Sequence, residues 1–140
     1  MFRKFLNWVG LTSAAPTLPP EAYPTPSSNR PAPIDVTDAD FAALILASDK
    51  LAVVDFWAEW CEPCHVMSAY VGFLASEYAD RVLVTAVDVD ENQATSSQYD
   101  IMGLPTTIFF RNGLEIERIV GVINYEEFKQ KVENWLDAVQ

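Results

Sequence analysis

Seven consecutive residues, Leu51-Ala52-Val53-Val54-Asp55-Phe56-Trp57, carry a single charged side chain among them. A half-buried strand alternates apolar and polar residues; a run that is apolar at both parities must be covered on both faces. The run therefore reads as the central strand of a sheet with helices on either side, a three-layer αβα architecture.

The prolines mark where that domain begins. Seven of the nine lie between Pro16 and Pro33, among Ser, Thr, Ala and Asn. Such a stretch buries too little apolar surface to fold and favours extended polyproline II structure. Residues 12–33 read as a linker and 1–33 as an N-terminal extension, leaving 34–140 as the domain. Ahead of the linker, Phe2, Phe5, Leu6 and Val9 recur at helical spacing, with Arg3, Lys4 and Asn7 off that face. Three readings compete for residues 1–11: an amphipathic segment in weak contact with a membrane or partner, the core of a signal peptide, and a frayed tail. A tail or weak anchor is favoured, because the apolar run is short for a signal and contains Asn7. No stretch of 18 apolar residues exists to span a bilayer as a helix.

Beyond Pro33 the pattern reads β-α-β-α-β-α-β-β-α, which makes a mixed central sheet with helices on both sides. Ile34–Val36 is a short strand. Thr37 caps a helix with Asp38 and Asp40 in its first turn and Phe41, Leu44 and Ile45 on its inner face. A helix from about Cys61 to Tyr78 places Val66, Met67, Tyr70, Phe73 and Leu74 at helical spacing. Arg81–Asp88 is a second buried strand, and 93–99 a short helix. Thr106–Phe110 and Glu115–Val120 flank Asn112-Gly113, a strong hairpin signal. Asn124 and Glu127 open the last helix, which buries Tyr125, Phe128, Val132, Trp135 and Leu136.

The chemistry is concentrated in Trp60-Cys61-Glu62-Pro63-Cys64-His65. The chain has two cysteines, and they stand three apart. A disulfide across so small a loop constrains little of the unfolded chain, so the pair reads as reactive rather than as a staple. On the first turn of a helix the two share a face. Unpaired N–H groups there stabilise a thiolate, the nucleophile of disulfide exchange. Pro63 fits, because the first turn does not need its missing N–H. Two other chemistries use the same letters. Zinc needs four ligands, but there is no second CxxC and His65 is the only histidine. Covalent haem uses C-x-x-C-H, which Cys61–His65 spells out; the preceding apolar strand favours the redox reading. The formal charge of −11 disfavours nucleic acid and anionic membrane as partners of the domain. No Gly-rich dinucleotide loop is present, so the chain should bind no nicotinamide itself.

The run Val53–Cys64 resembles the active-site strand and motif of the thioredoxin family. Gly103-Leu104-Pro105-Thr106 resembles its cis-proline loop, and Asn112-Gly113 and Val120-Gly121 its hairpin and substrate-side glycine. The resemblance covers residues 34–140. It implies a thioredoxin fold and a protein dithiol/disulfide oxidoreductase. Cys61 would attack a target disulfide, Cys64 would resolve the mixed disulfide, and Asp55 would accept the Cys64 proton. Burial should raise the Asp55 pKa into the range of a useful base; a hydrogen-bonded core polar group is the other reading of that residue. Trp60, Leu104, Pro105, Val120 and Gly121 would form an apolar docking surface, with Glu62 and Pro63 inside the motif; core packing is the other reading of Trp60. The implied partners are disulfide-containing proteins and a thioredoxin reductase drawing on NADPH. No cofactor beyond the redox disulfide is implied, and a cytoplasmic monomer is the default.

Three positions depart from the family pattern. Glu62 replaces a common glycine, and a carboxylate there disfavours a neighbouring thiolate, which would make the pair more reducing. Ala86 stands where a buried lysine is usual, and Ala69 where a helix proline is usual. Glu62 is also similar to the thiol reductases of cytochrome c maturation, so a dedicated extracytoplasmic reductase or oxidase is the alternative, favoured if residues 1–15 act as a signal or anchor. A non-catalytic adaptor is a third reading, against which the intact cysteine pair argues.

Overall fold

The computed structural model describes residues 31–138. The segment 1–11 and all of the linker before Pro31 lie outside the described residues. The elements are β1 (Ile34–Asp35), α1 (Ala42–Leu46, a short π-helical turn), β2 (Leu51–Trp57), α2 (Glu62–Glu77), β3 (Val82–Asp88), α3 (Gln93–Gln98), β4 (Thr106–Arg111), β5 (Leu114–Val120) and α4 (Tyr125–Asp137). The sheet order is β1-β3-β2-β4-β5. β3 runs parallel to β1 and β2, whereas β4 runs antiparallel to β2 and β5.

β2 therefore lies at the middle of the sheet, and its two parities serve two cores. Leu51 and Val53 pack with Met67, Val71 and Leu74 of α2 and with Phe128 and Val132 of α4. Ala52, Val54 and Phe56 pack with Phe41, Ile45, Val87 and Phe110 on the opposite side. Asp55 shares the parity of Val53 and so falls on the α2 side.

The hairpin forms at Asn112 and Gly113, both at positive φ (52° and 79°). Both central residues of this tight turn sit in the left-handed region that matches the strand twist. A Cβ on Gly113 would also come within 3.1 Å of the Leu46 carbonyl oxygen. Asn124 caps α4, its Oδ1 accepting from the Glu127 N–H at 2.8 Å.

Several expectations need correction. Asp38 does not serve the helix it precedes. It accepts from the N–H groups of Ala94 and Thr95 and so caps α3. Asp40 instead accepts from the N–H and hydroxyl of Thr37, one half of a capping box. In α1 the Ala47 N–H bonds the Ala42 carbonyl, and this wider turn leaves Leu44 exposed while Phe41 and Ile45 point inward. On α2 the buried stripe is Cys64, Met67, Val71, Leu74 and Ala75. Val66 and Phe73 are exposed, and Phe73 lies edge-on to Tyr125. On α4 only Phe128 and Val132 are buried; Tyr125, Trp135 and Leu136 are half-buried at the margin of that core.

Candidate active site

β2 delivers the chain to the site at Trp57. The turn that follows is closed by the Cys61 N–H donating to the Ala58 carbonyl at 3.2 Å. Cys61 is the N-cap of α2 and has extended backbone; its sulfur accepts from the Cys64 N–H at 3.3 Å. A sulfur in that place lies in the positive field of the helix start. Pro63, in the first turn, costs no hydrogen bond. Cys61 and Cys64 form a disulfide with their Cα atoms 5.3 Å apart. Ala58 and the two sulfurs pack against Trp57, Val89 and Leu104. Cys61 retains 6% exposure and Cys64 none, so the first cysteine is the more accessible of the two.

The Leu104–Pro105 bond is cis. The Pro105 carbonyl accepts from the Gly121 N–H at 2.8 Å, and Thr106 pairs with Val120, which ties the loop to the end of β5. Gly121 has φ +92°, a conformation glycine adopts freely. Leu104 packs against the cysteines, and these bonds bring Pro105, Val120 and Gly121 together beside it. Val120 is exposed, Leu104 and Gly121 are half-buried, and Pro105 is buried. Trp60 is 69% exposed, which removes core packing as its explanation. Its indole N–H donates to Asp90 Oδ2 at 2.9 Å. Glu62 is exposed on the first turn of α2, beside both cysteines.

Asp55, on the face of β2 that meets α2, is 1% exposed. Ser68 Oγ donates to its Oδ2 at 2.9 Å, and its Oδ1 is buried without a partner. Loss of water pushes the carboxyl from 3.8 up to about 6, with the Ser68 bond pulling the other way. A cavity of about 330 Å³ opens on Asp55, lined among others by Asp35, Glu59, His65, Ser68 and Ala86. Ala86 is the β3 partner of Asp55 in the sheet register. His65 Nε2 lies 2.9 Å from the Glu59 carbonyl, which only accepts, so Nε2 carries the proton.

Three residues of this region escaped sequence reasoning. Ser68 stands four after Cys64, a spacing that puts both on one helix face, and that was the available signal. Asp90, thirty positions from Trp60, offered none. Met102, 93% exposed just before the cis-proline loop, is an apolar residue where a loop would ordinarily be polar. Among the described residues no group of three or more His, Cys, Asp or Glu side chains could hold a metal ion.

The sequence model of the family described as Thioredoxin matches residues 32–134. The chain belongs to the thioredoxin family. It is 42% identical over 94 residues to a thioredoxin of Mycobacterium tuberculosis, covering 67% of this chain and 81% of that protein. It is 36% identical over 99 residues to thioredoxin 2 of Chlorobaculum tepidum, covering 71% of this chain and 91% of that one. A bifunctional thioredoxin reductase/thioredoxin of Mycobacterium leprae is 39% identical over 97 residues, covering 69% of this chain and 21% of that protein. With the Cys61–Cys64 pair at the start of α2, this thioredoxin-family chain is a protein-disulfide oxidoreductase of the reductase type. Among the described residues no helix is long and apolar enough to cross a membrane.

Proposed function

We propose that the chain reduces disulfides of other proteins through a two-step exchange led by Cys61. The Cys61 thiolate attacks one sulfur of the target, forming a mixed disulfide and releasing the first target thiolate. Cys64 gives its proton to Asp55 and attacks Cys61 Sγ. The Cys61–Cys64 disulfide forms, and the second target thiolate leaves and takes a proton from water. Two electrons pass from the dithiol to the target. Leu104, Pro105, Val120 and Gly121 offer the target an edge for strand-like pairing beside Cys61, with Trp60 on the other flank. Glu62 beside Cys61 disfavours the thiolate and makes the pair more reducing.

The observation that carries this order of attack is the unequal exposure of the two cysteines, 6% for Cys61 against none for Cys64. Cys61→Ser should abolish reduction of a protein disulfide. Cys64→Ser should accumulate a mixed disulfide through Cys61, visible by mass spectrometry. A mixed disulfide accumulating through Cys64 in Cys61→Ser would reverse the assignment. Glu62→Gly should lower the Cys61 pKa; an unchanged value removes Glu62 from the account.

The oxidised pair is returned to the dithiol by a thioredoxin reductase drawing on NADPH. The relative that joins reductase and thioredoxin in one chain supports that partnership. The protein acts as a cytoplasmic monomer, with residues 34–140 as its catalytic domain. Reduction of the purified disulfide by NADPH and a bacterial thioredoxin reductase tests the recharging step.

A further inference from the structure

We propose that Ser68 is a positioning residue for the exchange: its hydroxyl, one helical turn below Cys64, holds the Asp55 carboxyl as acceptor of the Cys64 proton. The inference rests on the reading of Asp55 given above and adds what sets that group's proton affinity.

Residues four apart on a helix lie over one another, so the face of α2 that buries Cys64 also presents Ser68 to β2. The 2.9 Å bond from Ser68 Oγ is the hydrogen bond that the described side chains make to the Asp55 carboxyl, and it ends on Oδ2. Oδ1 has no partner and is buried. The contact thus divides the two oxygens: Oδ2 is committed to a donor, and Oδ1 keeps its lone pairs for a proton.

No other neighbour does this work. β3 contributes Ala86 and β4 contributes Thr107, the residues that register with Asp55 on either side; neither carries charge. The Thr107 hydroxyl is itself buried without a partner. β1 contributes Asp35 to the cavity, and the turn before α2 contributes Glu59; neither brings a positive charge to Asp55. His65, from α2, is bonded to the Glu59 carbonyl. Among the described residues no lysine or arginine lines the cavity. The carboxylate form of Asp55 therefore depends on one hydroxyl, and the cavity gives the accepted proton a way out to water. Each turnover balances: the proton leaves Cys64 Sγ for Asp55 Oδ1, the Cys61–Cys64 bond forms as the target sulfur leaves, and Asp55 returns its proton to solvent.

The test uses the full chain. In the oxidised protein, where neither cysteine titrates, the Asp55 carboxyl is followed by carbon NMR from pH 3 to 9. Ser68→Ala should raise its midpoint by about one unit, the worth of a hydrogen bond to a charged group. Ser68→Thr, which keeps the hydroxyl, should restore it. An unmoved midpoint in Ser68→Ala, or failure of Ser68→Thr to restore it, overturns the proposal. The second readout is the rate at which Cys64 releases a peptide thiol from the Cys61 mixed disulfide. Ser68→Ala should shift the acid limb of that profile upward and slow release about fivefold at pH 6. Asp55→Asn should lose the limb. A limb that survives Asp55→Asn defeats the acceptor reading itself; a limb lost in Asp55→Asn but unmoved in Ser68→Ala defeats the role of Ser68 alone.

Discussion

Asp55, near the end of β2, and Asp38, in the turn before α1, are treated by the fold in opposite ways. Asp55 is stripped of water and given one hydroxyl, and its carboxyl is pushed up to about 6. Asp38 is exposed at the surface and meets the hydroxyl and N–H of Thr95 and the N–H of Ala94, which hold it below the usual carboxylate range. One residue type thus becomes a group that readily holds a proton in one place and a permanent helix cap in the other. The difference lies in how much water the fold removes and how many donors it supplies in return.

The sharpest way to break the comparison is to put a carboxylate where the fold supplies neither water nor donors. Val53 shares the face of Asp55 two residues earlier and is fully buried in the α2–α4 core. Val53→Asp should cost at least about 4 kcal/mol and leave the chain unfolded by circular dichroism at pH 7. A stable Val53→Asp protein would mean that burial on this face carries little penalty.

Asp55→Asn is next, and its sign is opposite. The folded pKa lies above the unfolded one, so the native state holds more protons between them. The stability associated with Asp55 is full below pH ~4 and falls as pH rises through ~6. At pH 8 the charge costs about 3 kcal/mol, and Asp55→Asn should recover up to that much, with no gain at pH 3. Urea unfolding of oxidised protein across this range measures it; an equal gain at both ends would exclude the charge as the cause.

Asn92 sharpens the other side. It is buried, accepts from the Asp38 N–H at 2.9 Å and donates to the Asp88 carbonyl at 3.0 Å, so it holds the capping strand against α3. Asn92→Ala should cost about 2 kcal/mol in urea unfolding, from two broken bonds at a buried position. The smallest effect is that of Asp38→Ala. Its carboxyl is depressed in the fold, so the stability it adds is present at neutral pH and lost as pH falls through the folded pKa. The melting temperature of Asp38→Ala should therefore drop at pH 7 and converge on the parent as the Asp38 carboxyl is protonated in acid. A pH-independent drop would assign the loss to packing.

Much of this was readable along the chain. The run Leu51–Trp57 matches β2 end for end, and Asn112-Gly113 makes the hairpin it announces. The CxxC pair stands at the start of α2, followed forty positions on by a cis-proline loop. These are local signals, carried by periodicity and by residues whose backbone preferences are strong. The face that a helix buries is not local. Val66 and Phe73 keep helical spacing with Met67 and Leu74, yet the sheet and α4 take the stripe through Cys64, Met67, Val71 and Leu74.

Order of elements, central strand, reactive pair and hairpin were thus determined by the sequence alone, because each follows from neighbours within a few residues. Tertiary structure alone decided which groups meet Asp55, Asp38 and Trp60. Ser68 reaches Asp55 across 13 positions, Asp90 reaches Trp60 across 30, and Thr95 reaches Asp38 across 57. A hydrogen bond needs a donor within about 3 Å, and a proton affinity needs the whole local balance of water, charge and donors. Only the assembled sheet with its helices in place supplies either.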